Sequence, residues 1–204
     1  MTMVESKVLD DIVAKYYLFN PSEYGRVYTF VDFGNVRHWA KELWKIENKY
    51  RISVEVDIAK LSDICDLVKP IKKIFYYGYF SKERTDLDDK HPLNEKYRKS
   101  IYRIDKARKK GFETKSKEIK IIPLYDEDGK FIKKIAKCNF DVEITMDILQ
   151  KIEKYDTILL LSGDGDFYKL LSHAKNKGKK IIKLSPPMEG RGISSRPFVW
   201  LQEF

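Results

Sequence analysis

Residues 158–168 read Ile-Leu-Leu-Leu-Ser-Gly-Asp-Gly-Asp-Phe-Tyr, an apolar run that passes directly into Ser162-Gly163-Asp164-Gly165-Asp166. Four consecutive branched aliphatics, Ile158 to Leu161, are the pattern of a strand buried on both faces, as in a parallel sheet. The two glycines allow a tight turn and leave Asp164 and Asp166 at the carboxyl end of that strand, the edge where open α/β sheets bind ligands. Two close carboxylates repel each other unless a cation or a shared proton compensates. The stretch therefore points to a hard metal ion, and with it to phosphate chemistry.

Working outward, strands and helices alternate. An apolar strand over 27–31 ends at Asp32, and a helix is expected from Asn35 to about residue 49. A second helix is expected over 57–68, stopped by Pro70, then an aromatic-rich strand over 71–80. A long basic helix follows Pro92 and closes at Gly111. Strand 118–124 and the turn Asp126-Glu127-Asp128-Gly129-Lys130 lead to a short strand. Helix 141–154, strand 157–162, helix 167–177 and strand 180–184 complete the pattern. This alternation predicts an α/β fold with a mostly parallel central sheet flanked by helices. Apolar Val4, Val8, Ile12 and Val13 suit a helix, and Asn20-Pro21 breaks it, so residues 1–24 are expected to be a helical appendage and 25–204 the main domain.

At 204 residues, 43% hydrophobic and 13% aromatic, the chain is long and apolar enough for a sizeable core and is not a disordered polypeptide. Lys and Arg exceed Asp and Glu by 40 − 31 = 9. From Lys96 to Lys120 eleven basic residues face three acids, so most of the excess lies in one span. Such a span fits a polyanionic partner, nucleic acid first, or a solvated helix face. Cys65 and Cys138 have no metal-type spacing and read as reduced thiols. No apolar run approaches roughly 18 residues and no secretion-signal pattern opens the chain, so a soluble cytoplasmic protein is expected.

Three places set acids at strand ends or helix starts: Asp32 in Phe30-Val31-Asp32-Phe33-Gly34-Asn35, Asp141 in Asn139-Phe140-Asp141-Val142-Glu143, and the Asp164/Asp166 pair. In a doubly wound sheet such ends converge on one cleft. Asp141 and Asp166 also stand where a helix N-cap is expected. Asp32 follows an apolar strand and precedes Gly34, which favours a site over a cap. Asp147 lies six positions after Asp141, about 240° round a helix, and points elsewhere. Glu143 shares its face.

Val31-Asp32-Phe33-Gly34-Asn35, Asn139-Phe140-Asp141-Val142-Glu143 with Met146-Asp147, and Leu161-Ser162-Gly163-Asp164-Gly165-Asp166-Phe167 together resemble the three signature blocks of NYN domains, the PIN-like nuclease domains of the DUF88/LabA-like group. Order and spacing both fit over about residues 26–185, and Tyr76-Tyr77-Gly78 is similar to the family's aromatic second strand. The resemblance implies a Rossmann-like PIN fold and a Mg²⁺- or Mn²⁺-dependent ribonuclease, acting on RNA as an endoribonuclease. It implies Asp32, Asp141, Asp164 and Asp166 as catalytic, metal-binding acids, Asn35 as a polar catalytic neighbour and Ser162 as an orienting group. Asp147 matches a family Asp as a further metal candidate. Two departures are Phe33, where a small residue is common, and Cys138, where a Lys often stands, although Lys137 is adjacent.

For nucleic acid the candidates are Arg37 after the first block, Lys82 and Arg84 after the second strand, and Arg98, Arg103, Lys106 and Lys109 on the basic helix, interleaved with Tyr97 and Tyr102. His38 is read as a surface residue or a proton carrier, and Arg191 and Arg196 as late-loop cations. A homodimer is compatible with the sequence. Two rivals stand beside the nuclease. One is an RNA- or protein-binding regulatory module on the same fold. The other is a haloacid-dehalogenase-type phosphatase, which needs a second Asp two residues after its nucleophile; Asp32 is followed by Phe33-Gly34.

Overall fold

The structure, a computed structural model, describes residues 21–39, 55–81 and 91–185. The expected helix over 4–17, all but the start of the helix after Asn35, and the cations Lys82, Arg84, Arg191 and Arg196 lie outside the described residues. In chain order the strands are β1 (Val27–Asp32), β2 (Lys72–Tyr76), β3 (Glu113–Lys115), β4 (Lys120–Tyr125), β5 (Phe131–Lys137), β6 (Thr157–Leu161) and β7 (Lys180–Leu184). The helices are α1 (Phe33–Val36), α2 (Ile58–Asp66), α3 (Pro92–Lys109), α4 (Asp141–Gln150) and α5 (Tyr168–Asn176).

Five strands form one sheet in the order β3-β2-β1-β6-β7, every neighbouring pair parallel. Every residue of β1 and β6 is buried, which explains the unbroken apolar runs at 27–31 and 158–161. Alternate side chains enter two cores. Val27, Val31, Phe75 and Leu159 pack against Ile58 and Leu61 of α2 and Ile104 of α3 on one face. Phe30, Ile74, Tyr76 and Leu160 pack against Ile144 and Ile148 of α4 and Leu171 of α5 on the other. Each such side chain contributes about 1.5–3 kcal/mol by leaving water. The strand order runs one way from β1 to β3 and the other way from β6 to β7. The switch point, where such folds place their ligands, therefore lies between β1 and β6.

Three elements differ from the sequence expectation. β3 was not anticipated, because Glu113-Thr114-Lys115 has no apolar pattern; pairing with Ile74, Phe75 and Tyr76 makes it a strand. Helix α4 stops at Gln150 and continues as a 3₁₀ turn over Ile152–Lys154. The strand after the Asp126–Lys130 turn is seven residues long, and it pairs with β4 as a separate antiparallel hairpin. Among the described residues no helix is long and apolar enough to cross a membrane.

Candidate metal centre and cleft

β1 delivers Asp32 to the switch point at 8% exposure. Its Oδ1 accepts the Asn35 backbone N–H at 3.3 Å, so Asp32 caps α1 after all, and its Oδ2 accepts the Ser162 hydroxyl at 3.2 Å. Burial raises the Asp32 carboxyl to about 6; the Asn35 amide and Ser162 hydroxyl pull it down, and the charges of Asp141 and Asp164 push it up.

The turn after β6 is held by a short relay. Ser162, fully buried, accepts the Asp164 N–H at 3.2 Å, and Asp164 Oδ1 accepts the Asp166 N–H at 2.9 Å. Asn35 Oδ1 accepts both the Gly163 N–H at 2.8 Å and the Trp39 indole N–H at 2.9 Å, which ties the first sequence block to the third. Lys183 is 9% exposed, its ammonium is held below the usual lysine pKa by burial, and its Nζ donates to the Asp164 carbonyl at 2.9 Å. The sequence reading missed it. A lysine inside Ile181-Ile182-Lys183-Leu184 was the available signal, since a strand buried on both faces keeps a cation only where it has a partner.

Asp141, Asp164 and Asp166 each bring a carboxylate oxygen to one place, all within 4.8 Å of one another. Asp32 lies beside this trio, lining a cleft of about 300 Å³ with Asp141 and Asp164. The capping alternative for Asp141 and Asp166 does not hold. The N-cap positions of α4 and α5 are Phe140 and Phe167, and neither makes a side-chain cap bond. Asp141 instead occupies the first turn of α4, accepting the Asn139 amide at 2.6 Å. Among the described residues none of the three pairs with a Lys or Arg side chain. Three converging anions without a counterion, all hard oxygen donors, fit a divalent cation such as Mg²⁺ or Mn²⁺. The neighbouring Cys138 thiol is pushed above its usual pKa, chiefly by burial.

Asp147 stands apart from the trio. It is buried, accepts the Tyr76 hydroxyl at 2.5 Å and pairs with Lys115 at 2.6 Å and with Lys151. Both oxygens are thus engaged, and the geometry that turned it away from Asp141 on the helix gives it a structural part. Glu143, on the same helix face, pairs with Lys117.

Of the nucleic-acid candidates that the structure describes, Arg37 alone lines the cleft, its guanidinium donating to the Tyr77 hydroxyl at 3.3 Å. The basic helix is largely spoken for. Arg103 pairs with Glu55 at 3.0 Å, Lys106 with Asp57 at 3.4 Å, Arg108 with Asp105 at 3.1 Å and Lys99 with Glu95 at 2.6 Å. The charge count over 96–120 missed these pairings because Glu55 and Asp57 are about fifty positions away in the chain. Arg98 and Lys109 stay outside the cleft lining.

The NYN domain profile matches residues 26–196. The chain belongs to the NYN domain family. This membership and the parallel sheet agree with the PIN-like α/β fold expected from the three blocks. A curated relative, the low amplitude and bright protein LabA of Synechococcus elongatus, is 30% identical over 66 residues, which take in 32% of this chain and 36% of that protein. The chain thus spans about a third of the length of the curated relative it matches. Among solved structures, a Vibrio parahaemolyticus protein of unknown function is similar at 21% identity and TM-score 0.47, over 78% of this chain and 80% of its own. The T5 D15 protein, co-crystallised with metal ions, is similar at 13% identity and TM-score 0.44, over 78% of this chain and 54% of its own.

Proposed function

We propose that this NYN domain is a Mg²⁺- or Mn²⁺-dependent endoribonuclease of the cytoplasm. The observation that carries the reading is the trio Asp141, Asp164 and Asp166, three unpaired carboxylates within 4.8 Å at the sheet's switch point. With Asp32 beside them they would hold the divalent ion. Bound there, the ion supplies Lewis acidity and lowers the pKa of its water toward neutrality.

The chain's own residues do the rest. Ser162 and Asn35 fix the Asp164 turn, so the acids are placed before substrate arrives and little reorganisation is needed. Arg37, steadied on the Tyr77 hydroxyl, lies on the cleft wall within the same cavity as Asp32 and Asp141, where a phosphodiester's anionic oxygens would meet it.

The test is to incubate the purified chain with labelled RNA and DNA in Mn²⁺, Mg²⁺ and chelator, beside Asp164→Asn. Internal cuts in RNA that need a divalent ion and vanish in the variant support the reading. Cleavage that survives chelation or the substitution sinks it. RNA retention without cleavage favours the regulatory binding module.

A further inference from the structure

The hairpin β4–β5 stands outside the five-stranded sheet, and its root is stitched to the cleft. Ile119 N–H donates to the Tyr79 carbonyl at 2.8 Å and Tyr79 N–H to the Lys117 carbonyl at 3.0 Å. Gly78 lets this root approach, since a Cβ there would lie 2.7 Å from both Cys138 Sγ and Ile119 Cγ1. Ile119, Ala136 and Cys138, all at the root, line the same cleft as Asp32, Asp141 and Asp164.

Residues directly opposite across an antiparallel pair share a face, and alternate residues share it along each strand. Ala136 faces Ile121, Lys134 faces Pro123, and Phe131 faces Tyr125. One face therefore runs from the cleft wall along Ile121 and Lys134 and, past a register shift between Leu124 and Tyr125, to Tyr125 and Phe131. From residue 119 to 125 that is about 20 Å at about 3.4 Å per residue. The two aromatics at its far end pack only loosely into the fold. Tyr125 is 57% exposed and Phe131 51%, their rings edge to face with centroids 6.1 Å apart. Ile121 is exposed as well.

The hairpin strands also carry four lysines (Lys120, Lys133, Lys134 and Lys137) and no acid. Among the described residues none of these lysines pairs with a carboxylate, in contrast to Lys99, Arg103, Lys106 and Arg108 of the basic helix. Lys120 and Lys137 stand directly opposite each other, a like-charge pair that costs stability until an anion lies near it. The acids Asp126, Glu127 and Asp128 are confined to the turn beyond the aromatic pair. There Asp126 Oδ1 accepts the backbone N–H of Asp128 and Lys130, which closes the turn and bounds the track.

We infer that the hairpin is a docking arm for a single-stranded nucleic acid running out of the acidic cleft, with bases stacked on Tyr125 and Phe131 and a phosphate met by Lys134 on the same face. Exposed aromatics interleaved with unpaired cations suit splayed bases, because every base offers a π-face, whereas a duplex keeps its bases stacked on each other. The same lysines on open strand edges oppose pairing of the hairpin with a second copy. The inference rests on the nuclease reading for the direction of the strand. It moves the main substrate contacts from the basic helix to the hairpin.

The experiment measures binding in chelator, where no cleavage occurs, by fluorescence anisotropy of labelled 12-mer RNA and DNA single strands and of the matching duplexes. Three chains are compared: the parent, Tyr125→Ala/Phe131→Ala, and Lys134→Gln. All three altered residues are exposed, and thermal melting checks that each variant stays folded. The aromatic variant should lose at least about tenfold in single-strand affinity. The lysine variant should make the slope of log affinity against log salt shallower by about 0.7, one phosphate contact on a single strand. The RNA and DNA arms tell which sugar the arm accepts. Parent-like affinity in both variants overturns the inference, as does a parent that binds duplex as tightly as single strand or not at all. A dimer by light scattering that the aromatic variant dissolves also overturns it, in favour of a contact between copies. Hydrolysis of bis(p-nitrophenyl) phosphate by the parent in Mn²⁺ tests the nuclease reading separately, since that small diester reaches only the acids.

Discussion

Asn35 Oδ1 accepts the Gly163 N–H at 2.8 Å across 128 positions of chain, so the loop after β1 and the loop after β6 move as one piece. Replacing Asn35 with Ala frees the Gly163 turn and the Asp164 and Asp166 carboxylates it carries. RNA cleavage at saturating Mn²⁺ should drop on the order of 10²-fold, the usual consequence of misplacing a catalytic group by about 1 Å. Melting should fall only slightly, since the orphaned N–H is open to water. Unchanged cleavage would show that the turn holds itself.

Asp32 makes the metal-free protein sensitive to pH. Its carboxyl is raised from 3.8 to about 6 in the folded chain, chiefly by burial. The folded state then binds the proton more tightly than the unfolded chain, so the Asp32 contribution to stability is greatest below about pH 4, falls through the window up to about 6, and stays lower above it. The difference is on the order of 3 kcal/mol. In chelator at pH 7, Asp32→Asn should therefore raise the denaturation midpoint while abolishing metal-dependent stabilisation. A variant less stable than the parent under those conditions would contradict the burial argument.

Asp147 predicts the opposite sign. Burial raises its carboxyl, but the bonds from Lys115, Lys151 and Tyr76 outweigh that and hold it below the usual carboxylate value. Its contribution is complete above about pH 4 and fades as pH falls below that. Asp147→Asn should destabilise the fold by about 1.5–3 kcal/mol at pH 7. Divalent-ion affinity, read by calorimetry, should not change. A lost metal site in this variant would return Asp147 to the ligand set.

Gly78→Ala should push Ile119 and Cys138 off the cleft wall, because its Cβ would lie 2.7 Å from each. Overpacking of this kind costs about 1–3 kcal/mol, visible in melting. Adding Cys138→Ala removes one of the two clashes and should restore part of the loss. No recovery in the double variant would place the strain at Ile119.

Much of this was legible in the chain. β1 and β6 announce themselves because a strand buried on both faces leaves an unbroken apolar run, and Asp32 and Asp164 follow directly at their carboxyl ends. β3 was invisible because its register with Ile74–Tyr76, not its own residues, makes it a strand. The caps were misassigned for a local reason. An Asn139 amide and an Asx-type turn at Asp164 satisfy the groups that Asp141 and Asp166 were expected to satisfy. The basic helix misled for a long-range reason. Linear charge counting cannot see Glu55 and Asp57 folding onto Arg103 and Lys106. The hairpin was read as a turn and a short strand, and its importance lies in alternation of faces that only the β4–β5 register fixes.

The bond between Ser162 and Asp32 spans 130 positions. Closing so long a loop costs entropy that only late, non-local packing repays, and parallel pairing of this kind is slow to form. Asp32 therefore gains its Ser162 partner only after the 130 positions between them have been made. Neither an emerging polypeptide nor a fragment ending before residue 162 holds the paired acids. A fragment ending before residue 162 would carry Asp32 and Asp141 without Asp164 and Asp166, and divalent-ion binding is expected only once β6 lies beside β1.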